Sequence, residues 1–167
     1  FKEHGFEVVE LSGHAFEGEG DALFSGDTLF AGYGLRTDEA CYGEVAGALG
    51  VSDVVLCELC DPYFYHLDTC FCPLDGRRGI FYSKAFAPES VARMRERLDL
   101  FDIPESDARS FACNAVVVGN QVIVPAGCDA TSAQLRAWGY EPHEVELSEF
   151  IKAGGAAKCL SLRLTQP

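Results

Sequence analysis

The feature that most constrains this chain is the alternation of short apolar runs with amphipathic helical stretches along its length. Strands are predicted at 6–11, 28–32, 53–58, 69–72, 79–82, 112–118, 121–124, 142–146 and 159–164. Each is rich in Val, Ile, Phe or Leu and is bounded by Gly, Pro, Asp or Asn. Helices are predicted at 38–49, 88–98, 129–138 and 148–152. The second has Pro88 near its start and Val91, Met94 and Leu98 at spacings of three and four. Ala133, Leu135 and Trp138 stripe the third, Gly139 stops it, and Asp129 or Thr131 is placed to cap its first turn. Gly119-Asn120 joins two apolar runs as a tight hairpin, because both residues tolerate positive φ. The order strand, strand, helix, strand recurs without a low-complexity linker. Such repetition favours an α/β array of similar segments over one doubly wound sheet.

Composition narrows the function. With 48% hydrophobic and 23% charged residues, the 167-residue chain is expected to fold as a single domain over 1–167. Its formal net charge of −13 makes it a poor partner for nucleic acid, whose phosphates need a basic surface. The same field attracts a cationic ligand. No run approaches the roughly 18 apolar residues of a membrane span. Neither is there a charged region followed by an apolar run of the secretory type, so the expected location is cytoplasmic. The chain opens on Phe1 and enters a strand-like run almost at once, as a piece of a longer protein would. It contains no G-x-G-x-x-G after a strand and no G-x-x-x-x-G-K-[ST] loop, which leaves nucleotide binding without support.

The eight cysteines are Cys41, Cys57, Cys60, Cys70, Cys72, Cys113, Cys128 and Cys159. Most are expected to be small buried hydrophobes. Cys57-x-x-Cys60 followed by Cys70-x-Cys72 offers an alternative, a four-thiolate zinc site. Against it, the second pair is C-x-C within a strand-like apolar run.

Four places group residues that could do chemistry, three of them beside permissive glycines. In Phe16-Glu17-Gly18-Glu19-Gly20-Asp21, three carboxylates fall within five positions. Like charges so close raise one another's pKa, and suit a cation or a catalytic task. In Tyr65-His66-Leu67-Asp68, a strand would project His66 and Asp68 from one face, pairing an acid/base group with a cation binder. In Gly154-Gly155-Ala156-Ala157-Lys158-Cys159, a glycine loop delivers a cysteine whose neighbour Lys158 can favour the thiolate. In Tyr33-Gly34-Leu35-Arg36-Thr37-Asp38, Arg36 precedes a helix and can fork onto a carboxylate. Each place also has an ordinary structural reading: an acidic surface loop, a core histidine oriented by a carboxylate, a buried strand cysteine, and a solvated arginine beside a cap. His4, His14 and His143 have no partner pattern.

Together the four motifs resemble the guanidino-group-modifying enzymes of the pentein fold: arginine deiminase, arginine dihydrolase, dimethylarginine dimethylaminohydrolase and the amidinotransferases. The motif order of Glu, Arg, His and Cys is also that family's order. The resemblance implies an α/β propeller of ββαβ units, of which this chain would cover roughly the C-terminal three as part of a longer catalytic domain. It implies Cys159, His66 and Glu17 as catalytic residues, and Asp68, Arg36 and Asp21 as substrate-binding residues. Glu19 is an alternative to Glu17, because the acidic motif is one residue longer than usual. The implied activity is hydrolysis at a guanidinium carbon through a covalent thiouronium, on arginine or a methylated arginine. It needs no cofactor and no metal. The implied partner is a small cationic guanidino compound, with no nucleic acid or membrane, and a homodimeric assembly is a further expectation from the resemblance. The alternatives are an amidinotransferase on the same nucleophile, and a binding protein that keeps the fold without the chemistry.

Overall fold

The computed structural model describes residues 1–162. Their strands form three small mixed sheets of three strands each, all open. The first holds β1 (Ala22–Ser25), β2 (Thr28–Tyr33) and β3 (Val54–Glu58). β1 runs antiparallel to β2 with Ala22 opposite Ala31, and β3 runs parallel to β2 with Val54 opposite Leu29. A parallel return needs a long crossover. Here it carries α1 (Tyr42–Leu49), entered through a 3-10 turn at Glu39–Cys41. The second sheet repeats the plan with β4 (Phe71–Pro73), β5 (Arg78–Phe81) and β6 (Asp99–Asp102), crossed by α3 (Pro88–Arg97). The third does so with β7 (Val116–Val118), β8 (Gln121–Pro125) and β9 (Glu141–Val145), crossed by α5 (Asp129–Ala137). Short helices α2 (Leu67–Cys70) and α4 (Glu105–Arg109) join successive sheets, and α6 (Ser148–Ile151) follows the last.

β2 is buried on both faces. Phe30 points into a cluster that draws on all three sheets, while Leu29 and Ala31 face α1 with Cys41, Tyr42 and Val45. The rings of Phe30 and Phe71 lie 4.9 Å apart, so β2 of the first sheet and β4 of the second pack directly against each other. Each such fully buried phenylalanine contributes about 1.5–3 kcal/mol of apolar transfer.

The expected α/β class holds, and most elements fall where the pattern placed them. The exceptions have physical causes. Residues 6–11 form no strand: Val8 and Val9 are exposed and find no partner ladder. The 69–72 run is not a strand throughout, because Leu67–Cys70 makes a helical turn before β4. His66 and Asp68 are therefore not alternate residues on one strand face. The Asp21 carboxylate accepts the Leu67 N–H at 2.9 Å and stabilises that turn from 46 residues away. Of 112–118 only Val116–Val118 is strand, since 111–114 turns at Phe111 with φ 55°. Of 159–164, Lys158–Leu160 is a 3-10 turn, and 163–164 lie outside the described residues. α5 is capped by neither Asp129 nor Thr131. Asp107 of α4 accepts from the Thr131 N–H at 2.9 Å and its hydroxyl at 2.8 Å. β1, β6 and α4 had no sequence signal strong enough to assign. Cys57, Cys70 and Cys72 are buried and Cys60 is exposed. Among the described residues no group of three or more His, Cys, Asp or Glu side chains converges as a metal site.

Truncating Phe71 removes the ring that packs β4 against β2. Phe71→Ala is expected to lower the unfolding free energy by about 3–5 kcal/mol, measured by urea denaturation.

Candidate active site

The acidic loop, the Arg36 turn and the His66 turn meet through one buried carboxylate. Asp21 is 1% exposed. One of its oxygens accepts from the Thr37 hydroxyl at 2.7 Å, the other from the Leu67 N–H at 2.9 Å. Thr37 in turn accepts the Glu17 N–H at 3.2 Å, which fixes the start of the acidic loop. Asp21 was expected to bind substrate, but both of its oxygens are spent on these internal bonds. Burial pushes its carboxyl up, opposed by the hydrogen bonds from Thr37 and Leu67.

Glu17 lies at the centre of a hydrogen-bonded chain. Its Oε2 is 2.6 Å from His66 Nε2, while Oε1 accepts from Arg36 Nε at 3.0 Å, with a second guanidinium nitrogen at 2.9 Å. The His66 bond and the Arg36 guanidinium hold this carboxyl below its ordinary value. Glu19, the alternative, reaches Lys158 instead. Gly20 makes the approach possible, because a Cβ there would lie 2.9 Å from His66 Nδ1.

Asp68 is different in kind. It is 6% exposed, and its Oδ1 is buried without any hydrogen-bond partner. Burial pushes its carboxyl up to about 7, against the pull of His66 and Lys158. A buried unpaired carboxylate is costly unless a cation or donor arrives. The sulfur of Cys159 lies 4.0 Å from Asp68 Oδ2. Burial and the Asp68 charge push the Cys159 thiol up, while a bond from Asn114 and the Lys158 charge pull it down. Gly155 leaves room for this sulfur, since a Cβ there would lie 2.8 Å from Sγ. Asp68 and Lys158 face a groove of about 1140 Å³.

The structure thus brings Glu17, Arg36 and His66 into one bonded chain, and Cys159 and Asp68 into one contact. Three participants were missed from the sequence. Thr37 carries the Asp21 bond. Tyr65 donates its hydroxyl to the Gly154 carbonyl at 2.8 Å, pinning the glycine loop. Asn114 is fully buried and bonds the cysteine loop. The signal for Asn114 was an amide within the apolar run Ala112-Cys113-Asn114-Ala115, a polar group that burial obliges to find partners.

No protein-family model matches the chain. It is 43% identical over 173 residues to the bifunctional arginine dihydrolase/ornithine cyclodeaminase ArgZ of Synechocystis, covering 100% of this chain and 24% of ArgZ. It is 41% identical over 152 residues to a dimethylarginine dimethylaminohydrolase of Mycobacterium tuberculosis, covering 90% of this chain and 50% of that enzyme. Among solved structures, the N-terminal domain of cyanobacterial ArgZ superposes with a TM-score of 0.90 at 44% identity, over 99% of this chain and 63% of that one. That domain has been solved with product, covalently bonded to a reaction intermediate, and as a cysteine-to-serine variant with substrate. The chain therefore spans only part of the length of these relatives.

Asp68 supplies a test of these electrostatics by pH. Its folded carboxyl titrates near 7, against 3.8 for the unconstrained group, so the folded state binds the extra proton between those values. Stability contributed by this group is therefore greatest at low pH and is lost as pH rises from about 4 to 7. Asp68→Asn is expected to raise the stability of the ligand-free protein at pH 8 by about 1–4 kcal/mol. The gain should fade towards pH 4. Thermal melts across that range check it.

Proposed function

As a homologue of the guanidino-group-modifying enzymes of the pentein fold, this chain carries, we propose, the nucleophile, proton donor and cation seat of a cysteine-dependent hydrolase acting on the guanidinium carbon of arginine or a methylated arginine. The observation that carries this is the unpaired, buried carboxylate of Asp68 beside the Cys159 sulfur. A planar guanidinium presents two N–H groups that a carboxylate accepts together, which would satisfy Asp68 and hold the carbon near the sulfur.

The chemistry follows from the same contact. In the free protein the thiol is disfavoured as thiolate by burial and by Asp68. A cation seated on Asp68 reverses that field, so the thiolate forms when substrate is present. The sulfur attacks the guanidinium carbon and forms the C–S bond. His66 gives its proton to the departing nitrogen of this tetrahedral adduct, the C–N bond breaks, and ammonia or an amine leaves, which gives the S-alkylthiouronium. Nε2 is committed to Glu17, so Nδ1 is the nitrogen that handles this proton. Glu17 orients the ring through its bond to Nε2. His66 then takes a proton from water, the hydroxyl adds to the carbon, and the C–S bond breaks to return the thiolate. Arg36 can leave Glu17 to meet the carboxylate of an amino acid substrate. Asp21 acts as a positioning residue rather than a substrate contact.

We read the three mixed sheets as consecutive ββαβ segments of a propeller that the rest of the longer protein would complete around this groove, with residues 1–167 forming its C-terminal part. The amidinotransferase alternative gains no support, because the relatives with named activity above are a dihydrolase and a dimethylaminohydrolase.

Intact-mass analysis after treatment with a haloacetamidine, a cationic guanidine mimic, tests the proposal. A single adduct on Cys159, blocked by excess arginine, is expected; scattered labelling that arginine does not affect would overturn it. Cys159→Ser is expected to reduce turnover by about 10⁴-fold or more. His66→Ala should reduce it by about 10²–10⁴-fold. Steady-state assays of released ammonia or amine read both.

A further inference from the structure

Asn114 lies in none of the four motifs, yet it touches two of them. Its Oδ1 accepts the Ala156 N–H at 2.8 Å and the Cys159 N–H at 3.1 Å. Its Nδ2 donates to the Asp68 carbonyl at 3.2 Å. Its own carbonyl accepts the Lys158 N–H at 3.0 Å. One buried residue thus ties the cysteine loop, which follows the third sheet, to the α2 turn between the first two.

The pattern is specific to an amide. An apolar residue would leave two inward N–H groups and a carbonyl unpaired. A carboxylate would keep the acceptors, lose the donor, and add a second buried negative charge beside Asp68. The backbone that delivers Asn114 is strained: Phe111 is the only non-glycine at positive φ among the described residues, at 55°, and its carbonyl accepts the Asn114 N–H at 2.9 Å. Phe111 is kept in that state by packing, with its ring stacked 5.0 Å from Tyr63 at 5° and edge-on to Phe64. Strain of this kind persists where the surrounding structure over-determines it, commonly beside a functional site.

We propose that Asn114 is a positioning residue of this site, its side-chain amide holding the Cys159 and Asp68 backbones in the register that sets how the thiol meets the carboxylate. This deepens the function proposed above and rests on its assignment of Cys159 and Asp68. The groups facing the thiol are Asp68 from the α2 turn, Lys158 from its own loop, and Tyr65 from the segment before His66. Asn114 is the neutral member that fixes their spacing.

The experiment measures the pH dependence of Cys159 alkylation by iodoacetamide, with Cys159→Ser as the blank for other thiols, alongside inactivation by haloacetamidine. Asn114→Asp preserves an oxygen to accept the Ala156 and Cys159 N–H groups and loses the Nδ2 donor. It is expected to fold, and to shift the alkylation profile to higher pH, so that labelling at pH 7 slows about tenfold. The limiting rate of haloacetamidine inactivation should fall more than the concentration giving half that rate, because Asp68 remains. Asn114→Ala should slow the limiting rate by about 100-fold through misplacement of the sulfur. If Asn114→Ala does not fold, Asn114→Asp carries the test. A folded Asn114→Asp with the wild-type alkylation profile and limiting rate, altered only in melting temperature, would overturn the proposal. Haloacetamidine labelling of the wild-type protein that arginine fails to block would instead remove the guanidino function. The iodoacetamide profile needs no substrate and would still decide the role of Asn114.

Discussion

The buried carboxylate of Asp21 is the interaction on which the rest of the site depends. It accepts one hydrogen bond from Thr37 and one from the Leu67 backbone, so three segments far apart in the chain are fixed around one side chain. Through Thr37 it sets the start of the loop that carries Glu17. Through Leu67 it closes the turn that aims His66 and Asp68. The Asp21 carbonyl also accepts from the Tyr42 hydroxyl at 2.7 Å, which ties the assembly to α1. A charge desolvated this far is tolerated because both oxygens are satisfied, and its removal would free every element that positions the chemistry.

Asp68 follows the opposite logic. It too is buried, yet one of its oxygens has no partner. Of these two buried carboxylates one is satisfied and the other is not. The unsatisfied one carries a desolvation cost that a cation or a donor would relieve. After burial, its charge is the next influence that pushes the neighbouring thiol up. The acidic balance of the whole chain acts in the same direction at longer range.

Much of the site was legible because its chemistry requires particular residue types beside glycine. Gly20 and Gly155 stand where a Cβ would collide with His66 and Cys159; Gly155 lies beside its cysteine in the sequence, whereas Gly20 meets a histidine 46 positions away. Of the two glutamates, Glu17 bonds His66 and Glu19 reaches Lys158. That both oxygens of Asp21 turn inward was not legible, since a carboxylate in an acidic motif reads the same whether it faces a ligand or the protein interior. The strand expected at 69–72 failed for a related reason: the bond that turns Leu67–Cys70 into a helix comes from a residue 46 positions earlier. The strand at 6–11 had the right composition and lacked only a neighbouring strand to pair with.

By itself the sequence determined the alternation of strands and helices, the two-residue hairpin at Gly119-Asn120, the acidic field, and the set of reactive side chains. These depend on residue type, periodicity and local backbone freedom, which act over a few positions. The tertiary structure alone decided which carboxylate is spent and which is free, which element caps α5, and that Asn114 joins Cys159 to Asp68. Those outcomes rest on hydrogen bonds between residues 16 to 46 positions apart and on the removal of water from around them. Desolvation is a property of the packed molecule, and it is desolvation that lifts the Asp68 carboxyl to about 7.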